Sequence, residues 1–278
     1  MAETFGERLR ERILDAGPLC AGIDPSTAVL REWGRPDSVE GLEYAARQLF
    51  DAVSDVVAAV KPQVAFFERF GSAGYRVLER VLADAREAGI LIVADAKRGD
   101  IGSTNDGYAH AWLDDASPLA SDALTVHPYV GVGALAPLVS AATQSGRGLF
   151  VLAGTSNPEG RALQTSRDAD NDTVETRVMR EVAELNEASA PFGSVGVVLG
   201  ATRQRPAFDL ARLGGPYLVP GVGAQGAGPE DVARLFAGVE RASVLVNVSR
   251  ALTDAGPEKM ALRDRAHRWR DDLVSALL

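Results

Sequence analysis

The sequence predicts an α/β chain folded as one (β/α)8 TIM barrel, a single domain over residues 1–278. Three observations carry that expectation. Eight short apolar runs recur along the chain. Each run is continuous rather than alternating, which suits strands buried on both faces of a parallel sheet. Amphipathic stretches lie between them, and the whole pattern fills the roughly 250 residues that eight strand–helix units occupy. An open doubly wound sheet shares this periodicity, and periodicity alone does not separate the two.

In order, the strand candidates are LCAGID (19–24), VAAVKP (57–62), ILIVAD (90–95), ALTVHP (123–128), LFVLAG (149–154), VGVVLG (195–200), YLVPG (217–221) and VLVNVS (244–249). After the first, Val39, Leu42, Leu49, Phe50, Val53, Val56 and Val57 fall at helical spacing. The stretches 75–89, 172–189 and 228–240 repeat that pattern, the last with Pro229 at a first helical position. No Pro-, Gly- and Ser-rich linker divides the chain. The polar stretch 155–173 follows the fifth strand directly, so in a barrel it is a βα loop on the active-site face, a lid rather than a domain boundary.

Composition narrows the function classes. The formal charge is −9, and no basic run exceeds two residues, which argues against nucleic acid as the main partner. The first 17 residues are charged throughout and lack the apolar stretch of a signal peptide, and no uncharged apolar run approaches the roughly 18 residues of a membrane span. The expectation is a soluble cytoplasmic protein with no membrane partner. Cys20 is the only cysteine, which excludes an internal disulfide and a cysteine-based zinc site. His110, His127 and His267 are far apart in sequence, with no HExxH, so no metal site is expected; His127 fits a satisfied core histidine better than a base.

The choice of cation is more informative. Against 26 Arg there are three Lys, at 61, 97 and 259. A chain that otherwise selects Arg has kept Lys where a compact ammonium with a transferable proton is needed. Lys259 has the look of a helix-surface residue, but Lys61 and Lys97 end apolar strand-like runs.

ADAKRGDIGST (94–104) concentrates the chemistry. Asp95 and Lys97 stand at i, i+2 on one side of a strand, and Asp100 follows the turn. A structural ion pair capping the strand is the plainer alternative, yet the C-terminal end of a barrel strand is where catalysis is placed in this architecture. Lys61, whose stem could simply pack along apolar surface, ends the neighbouring strand. Lys61, Asp95, Lys97 and Asp100 could thus form an alternating row of charges.

PGVGAQGAGPEDV (220–232) contains G-x-G-x-x-G at Gly221, Gly223 and Gly226. Its place at the seventh strand disfavours a dinucleotide fingerprint, which belongs to the first βα unit. A phosphate loop fits better, with Gln225 and, at the end of strand eight, Arg250 as donors; a plain Gly-rich turn is the alternative. Asp24, closing the first strand, either binds a sugar hydroxyl or caps a turn.

Together AGIDPS, VKPQVAFFE, DAKRGDIGST, HPYVG, GTSNP, PGVGAQG and NVSRAL, in that order over nearly the whole chain, resemble the orotidine 5'-phosphate decarboxylase family, in particular its bacterial type 2 form with DAKRGDIGST. The resemblance implies decarboxylation of orotidine 5'-phosphate to UMP and carbon dioxide, the last step of de novo pyrimidine synthesis, with no cofactor and no metal. It implies that Lys97 protonates C6 and that Asp95 lies against the substrate carboxylate. Lys61 and Asp100 would complete the row, and Asp24 and Lys61 would contact ribose. It further implies a homodimer in which Asp100, Ile101 and Thr104 serve the partner's site. Ser156 would bind the pyrimidine. Gln225, Ser249 and Arg250 would hold the phosphate, while Leu152 and Pro220 would line an apolar pocket for departing carbon dioxide. Suprafamily relatives acting on ketose or keto-acid sugar phosphates share DxKxxD but use magnesium and carry Glu at the end of strand two, where Lys61 and Pro62 stand here. A non-catalytic phosphate-ligand barrel is the third alternative. One departure is the stretch 158–172, which is longer and more polar than in the family's shorter enzymes.

Overall fold

The structure, a computed structural model, describes residues 3–277. Eight parallel strands, β1 (Leu19–Ile23), β2 (Ala59–Pro62), β3 (Leu91–Arg98), β4 (Ala123–Val126), β5 (Gly148–Gly154), β6 (Val195–Leu199), β7 (Tyr217–Val219) and β8 (Val244–Val248), pair in sequence order. β8 closes onto β1 through Leu19↔Val246, Cys20↔Asn247 and Ala21↔Val248. That pairing removes the open-sheet alternative. Each strand lies within or overlaps its sequence-predicted run, and β3 continues three residues past it, to Arg98.

The helices are α1 (Phe5–Ala16), α2 (Thr27–Glu32), α3 (Val39–Val53), α4 (Val64–Glu68), α5 (Gly71–Glu87), α6 (Ser103–Trp112), α7 (Ala136–Gln144), α8 (Arg161–Gln164), α9 (Val174–Asn186), α10 (Pro229–Leu235), α11 (Arg250–Thr253) and α12 (Lys259–Leu277). Strict alternation fails between β6 and β7, where a single 3-10 turn (Leu210–Arg212) replaces a helix. Pro206 and the Gly214–Gly215–Pro216 run leave too little uninterrupted chain for a longer helix. α10 stops earlier than the pattern suggests, three residues before Gly238, whose φ of 82° is in the left-handed region.

Strand periodicity sorts the apolar side chains into two clusters. Leu19, Ala21, Ile23, Val60, Ile92, Leu124, Val151, Val197, Val219 and Val246 pack outward against the helices. The alternate residues Cys20, Ala59, Leu91, Val93, Ala123, Phe150, Val198, Leu218 and Leu245 form the barrel interior. α1 closes the N-terminal end of that interior. Its capping box at Thr4 and Glu7 sets the start, and Phe5, Leu9 and Ile13, all fully buried, enter the inner cluster. Phe5 meets Phe150 edge to face at 5.9 Å. The fit depends on Gly148, where a Cβ would lie 2.1 Å from the Phe5 ring. With one end plugged, the interior opens only at the C-terminal ends of the strands.

Candidate active site

The inward positions that are apolar deep in the barrel become polar toward the open end. Two residues beyond Ala59 stands Lys61, beyond Val93 stand Asp95 and then Lys97, beyond Ala123 stands Thr125, and beyond Leu245 stands Asn247. With Asp24, Gln63, Leu152, Ser156, Pro220, Gln225, Ser249 and Arg250, these side chains line one cavity of about 350 Å³, within the range of small-molecule sites. Period two explains the sharing of register: residues two apart on a strand face the same side.

The centre of the cavity is an anion held between two cations. Asp95 Oδ2 accepts from Lys61 Nζ at 2.7 Å and from Gln63 Nε2 at 3.0 Å. Its Oδ1 accepts from Lys97 Nζ at 2.5 Å and from Thr125 Oγ1 at 3.0 Å. Burial pushes the Asp95 carboxyl up, but Lys61 and then Lys97 outweigh it and hold the group well below the ordinary carboxylate range. Burial works against the Lys61 charge, and Asp95 followed by Asp24 more than compensate, raising it above the ordinary amine value. Lys61 has only 4% of its side chain exposed, whereas Lys97 has 45% exposed and stands in the cavity mouth.

Asp24 is the opposite case. Burial raises its pKa, and Lys61 and the Ser249 hydroxyl only partly offset this. Its Oδ1 is buried without a hydrogen-bond partner, as is Asn247 Oδ1 on the adjoining strand β8. Two orphan acceptors lining one cavity suit a ligand that brings hydroxyl donors. A carboxyl with a raised folded pKa contributes stability below its unfolded value and loses it as pH rises through the folded value. Asp24→Asn is therefore expected to raise the melting temperature at pH 7, with the gain vanishing near pH 3; thermal melts at both pH values check this.

On the far side, β7 runs into the glycine-rich loop. Gly221, with φ of 91°, packs so closely that a Cβ there would lie 2.7 Å from Gln225 Oε1 and 3.1 Å from Ser156 Cβ. The loop closes on itself through the Val222↔Ala227 bridge. Gln225, Ser249 and Arg250 line this end of the cavity, and Arg250 is exposed, with no ion pair among the described residues. The polar stretch after β5 folds into a 3-10 turn (Pro158–Gly160), α8, and a bridge between Arg167 and Thr173. Gln164 ties it to its own start, accepting from Thr155 N at 3.0 Å and donating to Thr155 Oγ1 at 2.8 Å. Asp168 and Asp172 pair with Arg177 and Arg180 on α9.

Ten of the sequence-predicted site residues thus meet in one cavity: Asp24, Lys61, Asp95, Lys97, Leu152, Ser156, Pro220, Gln225, Ser249 and Arg250. Asp100, Ile101 and Thr104 do not line it. Asp100 and Ile101 occupy the turn into α6 and Thr104 its first helical turn, and Asn105 holds the Asp100 backbone by accepting from its N–H at 3.0 Å. Asp100 Oδ1 accepts from Ile101 N at 2.8 Å, and Ile101 is 62% exposed. Sequence reasoning missed Gln63, Thr125 and Asn247. The i, i+2 spacing of Gln63 from Lys61 and the place of Asn247 at the head of NVSRAL were available signals; Thr125 carries no motif, and only the barrel register brings it in.

The sequence model of the family described as Orotidine 5'-phosphate decarboxylase / HUMPS matches residues 17–264. A curated relative from Salinispora tropica, named orotidine 5'-phosphate decarboxylase, is 50% identical over 275 residues, 99% of each chain. One of the same name from Streptomyces coelicolor is 49% identical over 276 residues, again 99% of each. A Streptomyces avermitilis crystal structure described under that name is 48% identical with a TM-score of 0.95, covering 99% of this chain and 96% of that one. Similarity of this extent, from the plugged end of the barrel to its open one, means that the chain belongs to the orotidine 5'-phosphate decarboxylase / HUMPS family.

Proposed function

We propose that the chain decarboxylates orotidine 5'-phosphate to UMP and carbon dioxide, the step that completes de novo UMP synthesis, with its own side chains as the only catalysts. The Lys61–Asp95–Lys97 row carries this reading. Losing carbon dioxide from C6 leaves an electron pair that the pyrimidine ring cannot spread, so stabilisation must come from a fixed cation beside C6. Lys97, the more exposed of the two ammoniums, supplies that charge and then the proton. Asp95, ionised because Lys61 and Lys97 flank it, faces the substrate carboxylate and disfavours it relative to the developing carbanion. Asp24 and Asn247, with their unpartnered oxygens, take the ribose hydroxyls. Gln225, Ser249 and Arg250 grip the phosphate, and that remote binding offsets the repulsion at the reacting centre. Leu152 and Pro220 offer departing carbon dioxide an apolar wall. The 155–173 loop, with Ser156 at its root, closes over the base.

Turnover is followed by loss of substrate ultraviolet absorbance with EDTA present. Undiminished turnover is expected. No turnover by folded protein, or activity only on a sugar phosphate with magnesium, would overturn the reading in favour of the sugar-phosphate relatives. Lys61 stands against that alternative, because an ammonium is no metal ligand where those relatives carry Glu.

The working unit is proposed to be a homodimer, because Asp100, Ile101 and Thr104 lie outside their own chain's cavity yet on its open end. Mixing inactive Lys97→Ala and Asp100→Ala subunits is expected to restore partial activity, since one hybrid site has both residues; persistent inactivity in an exchanging mixture would count against it. Among the described residues no helix is long and apolar enough to cross a membrane.

A further inference from the structure

We propose that Arg98, anchored by Glu68, is a positioning residue for Lys97, holding the backbone turn that aims the ammonium into the cavity. The proposal rests on Lys97 being the proton donor. β3 does not reach its end in regular register: pairing with β4 runs Val93↔Ala123 and Ala94↔Leu124, then jumps to Arg98↔Val126. Residues 95–97 therefore bulge opposite Thr125 alone. Lys97 adopts φ of 49°, a left-handed conformation that a residue with a Cβ disfavours. The surrounding structure must hold it there.

Two backbone ties contribute: Lys97 N donates to Thr125 Oγ1 at 2.9 Å, and His127 N donates to Arg98 O at 2.9 Å. The Arg98 side chain supplies the rest. Its Nη1 turns back across Lys97 to donate to Ala96 O at 2.9 Å. Its Nη2 donates to the Glu68 carboxylate at the end of α4, which also accepts from Tyr75 OH on α5 at 2.7 Å. The guanidinium lies 5.8 Å from the ring centroids of both Tyr108 and Trp112 on α6. One planar fork thereby ties both sides of Lys97 to three helices, which an ammonium or a thioether cannot do. Neither Arg98 nor Glu68 lines the cavity, so their effect must pass through Lys97.

The test is steady-state kinetics and UMP binding for Arg98→Met, Arg98→Lys, Glu68→Gln and Tyr75→Phe, beside wild type and Lys97→Ala. A proton donor displaced by about 1 Å loses on the order of 10²-fold in rate. Arg98→Met is expected to lower kcat by that factor, with KM and UMP affinity within roughly threefold of wild type. Arg98→Lys, which keeps the charge without the fork, is expected to remain at least about tenfold low in kcat. Glu68→Gln and Tyr75→Phe are expected to lower kcat less and leave KM unchanged; they carry the test if Arg98→Met does not fold. Unchanged kcat in the folded variants, KM rising with the fall in kcat, or full rescue by Lys would overturn the proposal. A wild type without turnover, or an active Lys97→Ala, would instead defeat the reading of Lys97, so the two failures are distinguishable.

Discussion

Lys97→Ala is expected to eliminate decarboxylation, with kcat falling by about 10⁴-fold or more while the protein stays folded and still binds UMP. Two effects are lost together. A positioned general acid contributes about 10² to 10⁴ in rate, and a preorganised charge at the site of developing anion contributes about 10² to 10³. They are not fully additive because one group supplies both. The other ammonium cannot substitute. Lys61 is buried on the far oxygen of Asp95, 2.7 Å from Oδ2, whereas Lys97 approaches Oδ1 from the cavity mouth. Lys97→Arg restores charge without an easily released proton and is expected to remain severely impaired. Single-turnover decay of substrate absorbance, with circular dichroism as the folding control, checks both variants. Activity above about one hundredth of wild type in Lys97→Ala would require another proton donor.

Asp95→Asn is expected to be costly in both stability and rate. It leaves two neighbouring ammoniums without their shared counter-ion, and Lys61, with 4% of its side chain exposed, has little access to water. Breaking a buried pair from one side destabilises by about 3–5 kcal/mol, which for a chain of this size lowers the melting temperature by roughly 2–4 °C per kcal/mol. The pH dependence has a definite sign. Because Asp95 is depressed in the folded state, its contribution is present above the ordinary carboxylate value and is lost as pH falls through the folded value. Melting curves of wild type and Asp95→Asn should therefore lie farthest apart near pH 7 and approach one another in strong acid. Asp24→Asn runs the other way, since that carboxyl is raised by burial. kcat of Asp95→Asn should also fall sharply, because its amide no longer repels the substrate carboxylate and no longer orients Lys97. A variant as stable as wild type at pH 7 would mean that the cavity solvates both ammoniums unaided.

The barrel's parts were legible in the sequence because they are local. Continuous apolar runs mark strands buried on both faces, and all eight appear where LCAGID, ILIVAD and their counterparts stand. The charged row in the cavity was legible because Lys is rare in this chain, and because DAKRGD sets Asp95 and Lys97 two apart on one strand face. What tertiary structure decided is non-local. Closure rests on pairing Leu19 with Val246, residues at opposite ends of the chain, so no periodicity reports it. α1 was visible only as a charged segment unlike a signal peptide; its Phe5, Leu9 and Ile13 stripe acquires meaning as the plug of a barrel interior built from eight other segments. Thr125, Asn247 and Arg98 belong with Asp95 and Lys97 because of register, a bulge and the helices packed behind it. Sequence records which side chains alternate toward one face of a strand. Only the closed sheet determines which faces meet.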